Sequence, residues 1–269
     1  MSNVLPSEKI ILTFVWSEIE PLYNKAISKL SSKVKMDGFR AGKVPVAIAK
    51  KQLSFEAIVN QTLSTILIPR FNEEMTKKKI TPVGQPQLMV HKAAEGDNWE
   101  VEVQYALEPA IKLGDYQKLL AKHKKEAAKK IAQQKKAILA QHEELQKKDP
   151  KHEIPNLEPT TDEQKQQEQD QITDMAVAGL LGDIEVPVHE ILITQQTEHQ
   201  LGRFMGDLAQ HNIEVDAYLK NINQTKEEFI ESVKKQAQEQ IELHFLLEAI
   251  KKDTKIKTQE DLVDFLRKI

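Results

Sequence analysis

From Asp115 to Lys151 the chain carries eleven lysines against five acids, with Ala, Gln and Leu filling the gaps. No run there alternates as a strand would. The sparse apolar positions Leu119, Leu120, Ile131, Ile138, Leu139 and Leu145 make only a narrow stripe, which predicts a long solvated helix that must find a partner along one side. Asp149-Pro150, Pro155 and Pro159 then stop helix formation over a short extended link. Thr161 to Asp174 is acidic and Gln-rich and leads into a small apolar run, Met175 to Leu181. The basic helix and the acidic stretch are expected to lie antiparallel, with opposite charges on the two limbs, although each exposed pair adds little. Three further helices are predicted, at about 188–211, 214–221 with 226–252, and 258–268. With 40% hydrophobic and 29% charged residues in 269, such a chain is expected to be more open than one tightly packed globule.

Positions 1–112 have a different grammar. Lys9 to Trp16 alternates, with Ile10, Leu12, Phe14 and Trp16 on one side, and reads as a strand. Ser17 followed by Glu20 fits a capping box, so a helix is predicted to run to about Val34. Phe55, Ile58, Val59, Leu63, Ile66 and Leu67 mark a second helix that Pro69 should bend or restart. After a turn-rich link at 80–86, strands are expected at Leu88–His91 and Trp99–Leu107, the second alternating with Trp99, Val101, Val103, Tyr105 and Leu107 on one face. The fold class is therefore α+β: a small β-α-α-β-β unit over 1–112, then an elongated all-α domain over 113–269.

Several chemistries lack support. There is no cysteine, which removes disulfides, thiol nucleophiles and cysteine-ligated metal. No phosphate-binding glycine loop, nucleophile elbow or dinucleotide fingerprint occurs. The histidines never fall at the i, i+4 spacing of a paired metal ligand and read as surface residues. Glu73-Glu74 and Glu143-Glu144 sit in polar helices where nothing would raise a carboxylate pKa. Gly202 and Gly206 fit close packing of soluble helices. No catalytic residue, cofactor or metal is expected, and the chain is not expected to be an enzyme. The start lacks a basic leader with an apolar run and no stretch is long enough to span a bilayer, so a cytoplasmic location without membrane contact is expected.

One segment asks for more than a structural explanation: Asp37-Gly38-Phe39-Arg40-Ala41-Gly42-Lys43-Val44-Pro45. Gly38 and Gly42 permit backbone conformations closed to other residues, and Pro45 fixes the first turn of the next helix. Lys29, Lys33, Lys35, Arg40, Lys43, Lys50 and Lys51 surround the loop with Asp37 as the only acid, a patch suited to phosphate. Phe39 has no periodic neighbours to bury it. It reads either as an anchor for a partner or as a ring tucked under its own core, and spacing leaves both open.

Gly38-Phe39-Arg40-x-Gly42-Lys43-Val44-Pro45 resembles the signature loop of trigger factor, the bacterial ribosome-associated chaperone family. The resemblance extends to Ile80-x-Pro82-x-Gly84-x-Pro86, to Ile184-Glu185-Val186-Pro187, and to Phe229–Ile250, above all Leu246-Leu247-Glu248-Ala249-Ile250. It implies a ribosome-binding head followed by a domain with helical arms. Phe39, Arg40 and Lys43 would contact the large ribosomal subunit, protein and RNA, at the rim of the exit tunnel, while Gly38, Gly42 and Pro45 shape the loop. Ala41 departs from the basic residue usual in the family.

The family commonly carries a prolyl isomerase domain between head and arms. The stretch 115–183 holds one aromatic, Tyr116, and almost no strand pattern, so this form is expected to lack that domain and its activity. The expected function is an ATP-independent chaperone that holds nascent or unfolded polypeptides in a helical cradle, with a homodimer off the ribosome left open. Met175, Leu180, Leu181, Ile191, Leu192, Phe204, Met205 and Leu208 are cradle candidates or, taken singly, helix-packing residues. The alternative is an RNA-binding or ribosome-associated module without chaperone activity, in which Lys124, Lys125, Lys129 and Lys130 matter most.

Overall fold

The computed structural model describes residues 4–34, 44–149 and 153–269. The chain divides into two compact units: a head unit, Pro6–Glu108 with His189–Leu192, and a helical unit that takes the rest.

After the short β1 (Val4–Leu5), the head is built from β2 (Glu8–Phe14), α1 (Trp16–Ser31), α2 (Val46–Lys50), α3 (Phe55–Lys78), β3 (Pro82–Lys92) and β4 (Trp99–Leu107). Its sheet is antiparallel in the order β2-β4-β3, with Ile10 opposite Val103, Leu12 opposite Val101 and Phe14 opposite Trp99. Alternation sends Ile10, Leu12 and Phe14 inward and leaves Ile11 61% exposed. One sheet face packs against Ile19, Tyr23 and Ile27 of α1 and Ile58, Leu63, Leu67 and Phe71 of α3. On the open face, Glu102 binds strands on both sides by accepting from Lys9 (3.1 Å) and approaching His91 (3.1 Å), and it also accepts from Gln104 (2.8 Å). Those hydrogen bonds, Gln104's first, then those of Lys9 and His91, pull its carboxyl down to about 2.

Four local expectations change here. The helix begins at Trp16, so Ser17 lies inside its first turn and cannot cap; the Trp16 N–H donates instead to Asn98 Oδ1 at 2.9 Å, a cap from the β3–β4 turn. Helix α3 runs through Pro69 as one element, capped by Ser54 at one end and by left-handed Lys79 at the other. The link at 80–86 is largely strand: β3 starts at Pro82, and Gly84 at φ 72° sits in the irregular stretch between Val83 and Gln87. The short α2 adds a helix to the expected order.

The helical unit comprises α4 (Tyr116–Lys148), α5 (Asp162–Leu180), α6 (Glu190–Gln210, whose first residues belong to the head), α7 (Val215–Asn221), α8 (Lys226–Thr254) and α9 (Gln259–Lys268). Between α5 and α6 lies β5 (Val188–His189), which pairs with β1. Local chemistry sets the helix starts: Thr161/Gln164 and Thr225/Glu228 form full capping boxes, and Asp115 and Thr258 accept from Lys118 and Asp261 N–H groups.

Helices α4 and α5 run antiparallel, with His123 near the start of α4 against Asp183 (2.7 Å) and Lys135 further along against Glu168 (2.8 Å). Gly179 makes room for the imidazole, since a Cβ there would stand 2.7 Å from His123 Nδ1. The pair buries Leu120, Ala127 and Ile131 on one side and Ala176, Val177 and Leu180 on the other. Helix α9 buries Leu262 and Leu266, and the Lys124 ammonium donates to the Leu266 and Arg267 carbonyls at 2.6 and 2.9 Å. Burial pushes that amine below its ordinary range. Two histidines are not surface residues: the His123 side chain is 16% exposed, and buried His189 places Nδ1 2.7 Å from the Pro6 carbonyl.

Candidate functional site

Gly38, Phe39, Arg40, Gly42 and Lys43 lie outside the described residues; both stems of their loop are described. On the incoming side α1 ends at Ser31 with exposed Lys29 and Lys33. On the outgoing side Val44 is buried, and Pro45 is the exposed N-cap of α2 at φ −57°, one residue before the position expected. Its carbonyl accepts from the Ile48 and Ala49 N–H groups at 2.9 and 3.0 Å, so proline's restricted φ sets the start of the helix from just outside it. Ala49 is buried, while Val46, Ile48 and Phe55 stay exposed beside Lys51.

Lys50 is not a free member of the basic patch. Its ammonium donates to both Glu95 oxygens, at 2.7 and 2.9 Å, and lies 5.6 Å from the Tyr23 ring centroid. Tyr23 donates to Glu95 as well (3.2 Å) and meets Trp16 and Trp99 edge-on at 5.4 and 6.1 Å. The β3–β4 turn thus holds the start of α1 through Asn98 and α2, the outgoing stem, through Glu95. The Lys50 hydrogen bond, aided by Tyr23, keeps the Glu95 carboxyl below the usual carboxylate range, while burial first and Glu95 second push the Tyr23 phenol up to about 12.

A depressed carboxylate contributes stability that is present above its unfolded pKa, about 4.3, and disappears as pH falls through the folded value. Acid titration of the wild type should therefore show a loss of head stability below about pH 4 that is smaller in Glu95→Gln, the remainder coming from Glu102. Denaturant midpoints measured across that range check it, and identical acid limbs would refute the clamp.

In the helical unit, Phe204, Tyr218 and Phe229 bring their rings together, with centroids 4.7 to 6.5 Å apart, on the floor of a groove of about 580 Å³ that Arg203 and Asp207 also line. All three rings are half-buried. The same helix-turn-helix segment exposes Met205, Ile213, Ile222 and Ile230. Leu181 lines another groove, of about 620 Å³, where the end of α5 faces α8. Among the cradle candidates, Leu180 and Leu208 are buried in helix packing. Met175 is half-buried beside Ala176 and Val177, which α5 buries. Ile191 and Leu192 belong to the head unit. Phe204 joins the ring cluster, and Met205 is 51% exposed. Tyr218 and Phe229 were not legible as partners of Phe204, because rings far apart in sequence on three helices share no periodicity.

Among the described residues no group of three His, Asp or Glu side chains could hold a metal ion, and no helix is long and apolar enough to cross a membrane. Where the resemblance would place an isomerase domain, the described residues of 116–148 and 162–180 are helix.

A family model described as bacterial trigger factor protein matches residues 6–145, and one for the trigger factor C-terminus matches 156–269. The trigger factor of Mycobacteroides abscessus is 30% identical over 100 residues, covering 37% of this chain and 20% of that protein. That of Lactococcus lactis subsp. cremoris MG1363 is 31% identical over 96 residues, covering 36% and 22%. The Streptococcus mutans trigger factor is 29% identical over 111 residues, covering 40% and 26%. The chain thus spans about a fifth to a quarter of the length of the curated relatives it matches. A solved structure from work on promiscuous substrate recognition in folding and assembly by the trigger factor chaperone aligns over 94% of this chain and 84% of its own, with TM-score 0.51 and 15% identity.

Proposed function

Because the chain belongs to the bacterial trigger factor family, we propose that it is an ATP-independent chaperone of the cytoplasm that docks at the ribosomal exit tunnel and holds nascent or unfolded polypeptide on its helical unit. The head loop, through Gly38, Phe39, Arg40, Gly42, Lys43 and Pro45, makes the docking contact with the large subunit. Its stems support this, since a projecting loop can present a fixed shape only if both ends are held, and here Ile27 and Ser31 bury the end of α1 while Lys50 ties α2 to Glu95.

The observation that carries the holding role is the half-open aromatic groove with Met205, Ile213, Ile222 and Ile230 exposed on the same segment. Apolar surface left in water forgoes about 25 cal/mol per Å², which an unfolded segment can supply and its own folding can later withdraw. Weak contacts at several such points give release without a nucleotide.

Two variants test the two halves of the reading. Met205→Ser/Ile230→Ser alters exposed side chains only, so its melting temperature should match wild type while suppression of aggregation of a denatured client weakens several-fold. Phe39→Ala/Arg40→Ala should lose salt-sensitive pelleting with ribosomes and keep that suppression. Undiminished suppression in the first variant would refute the groove, and undiminished pelleting in the second would refute the loop.

A further inference from the structure

Helix α4 carries a second, separate feature. Lys118, Lys122, Lys125, Lys129 and Lys136 recur at spacings of four, three, four and seven residues, which places them in one line along the helix. All five are exposed. The line spans eighteen helical steps, about 27 Å at about 1.5 Å per residue, on the side opposite buried Leu120, Ala127 and Ile131. A solvated helix face ordinarily interleaves its charges, because Glu–Lys pairs at i, i+4 stabilise it and like pairs destabilise it by similar amounts. Between Tyr116 and His142 the only acid is Glu126, and it lies 3.5 Å from His123.

The acids of the neighbouring segment do not compensate the line either. Glu168 pairs with Lys135, Asp170 with Arg267 and Asp183 with His123, so charge there is spent away from the five lysines. What remains, among the described residues, is a straight rod of uncompensated ammonium groups without a large exposed apolar side chain between them. That excludes the geometry of a helix lying in a lipid surface, which needs large apolar residues on its buried side.

We propose that this lysine line is a docking surface for the phosphate backbone of an RNA. Charge complementarity carries the assignment: a linear array of cations neutralises a linear polyanion, and release of the condensed counterions drives binding without reading sequence. The choice of RNA over DNA rests on the proposed docking at the ribosome; the line itself rests only on α4. It would give the chain a second RNA contact outside the head loop.

Binding of the full chain to a short RNA duplex, followed by fluorescence anisotropy over a salt series, tests it. Lys118→Gln/Lys122→Gln/Lys125→Gln/Lys129→Gln/Lys136→Gln should bind more than about tenfold more weakly at low salt and lose about four from the slope of log K against log salt. Phe39→Ala/Arg40→Ala removes one cation of the head loop and should lose only about one from that slope, so failure of the loop and failure of the line are told apart. If the quintuple variant does not fold by circular dichroism, Lys125→Gln/Lys129→Gln carries the same test with a slope change of about two. Unchanged RNA binding by the variant would overturn the proposal. So would equal capture of polyglutamate or of phosphatidylserine vesicles.

Discussion

Trp99→Ala is expected to unfold the head unit at temperatures where the wild type is stable. The indole is fully buried, lies opposite Phe14 across the β2–β4 ladder, meets the Tyr23 ring edge-on and donates from Nε1 to the Ala94 carbonyl at 2.8 Å. Large-to-alanine changes at such positions cost about 3–5 kcal/mol, against about 5–15 kcal/mol for the total stability of a small domain. The loss also reaches the loop. Ala94 opens the turn that carries Glu95 and Asn98, so a collapsed indole site frees the clamp on α2 and the cap on α1 together. Denaturant unfolding of the variant should show the lost stability, and hydrogen exchange should quicken at α1 and α2 before it does at α8. A change below about 1 kcal/mol would mean the turn is held by something other than this ring.

Leu120→Ala should cost about 3 kcal/mol in the helical unit, while Lys135→Gln should cost less than about 1 kcal/mol. Opposite charges on two limbs suggest that electrostatics joins α4 to α5, and Lys135 with Glu168 is such an ion pair between the two helices. The fully buried Leu120 and Leu180 supply apolar contact that neither salt nor pH weakens. Thermal melts at low and high salt separate the two contributions: Leu120→Ala should be displaced by the same interval in both, whereas the Lys135→Gln difference should shrink as salt rises. The reverse ranking would make the helix pair an electrostatic assembly.

Much of the secondary structure was legible because it is written at short range. The alternation in Glu8–Phe14 and Trp99–Leu107 set which side chains enter the core. The helices beyond Val188 begin and end within two residues of the periodicity. Elsewhere a distant residue has replaced a local one. Ser17 and Glu20 carry a capping box in the right spacing, but Asn98 takes the N–H of Trp16 from 82 residues away. Lys50 looks like one more cation around a basic loop, and Glu95, 45 residues on, removes it from that set. The candidate site divides in the same way: the loop residues were recognisable as a motif, whereas the ring cluster of Phe204, Tyr218 and Phe229 exists only once three helices are packed.

The sequence by itself determined most of the strands and helices, the family of the chain and the line of lysines on α4, because each depends on neighbours within a few positions and, for the elements and the line, on a 3.6- or 2-residue repeat. Only the tertiary structure decided which polar groups are spent. Lys124 reaches carbonyls more than a hundred residues distant, Lys50 is claimed by a hairpin turn, and Glu168, Asp170 and Asp183 are taken by Lys135, Arg267 and His123. A donor or acceptor withdrawn from water must be satisfied by whatever folding brings within about 3 Å of it, and that partner has no fixed separation along the chain.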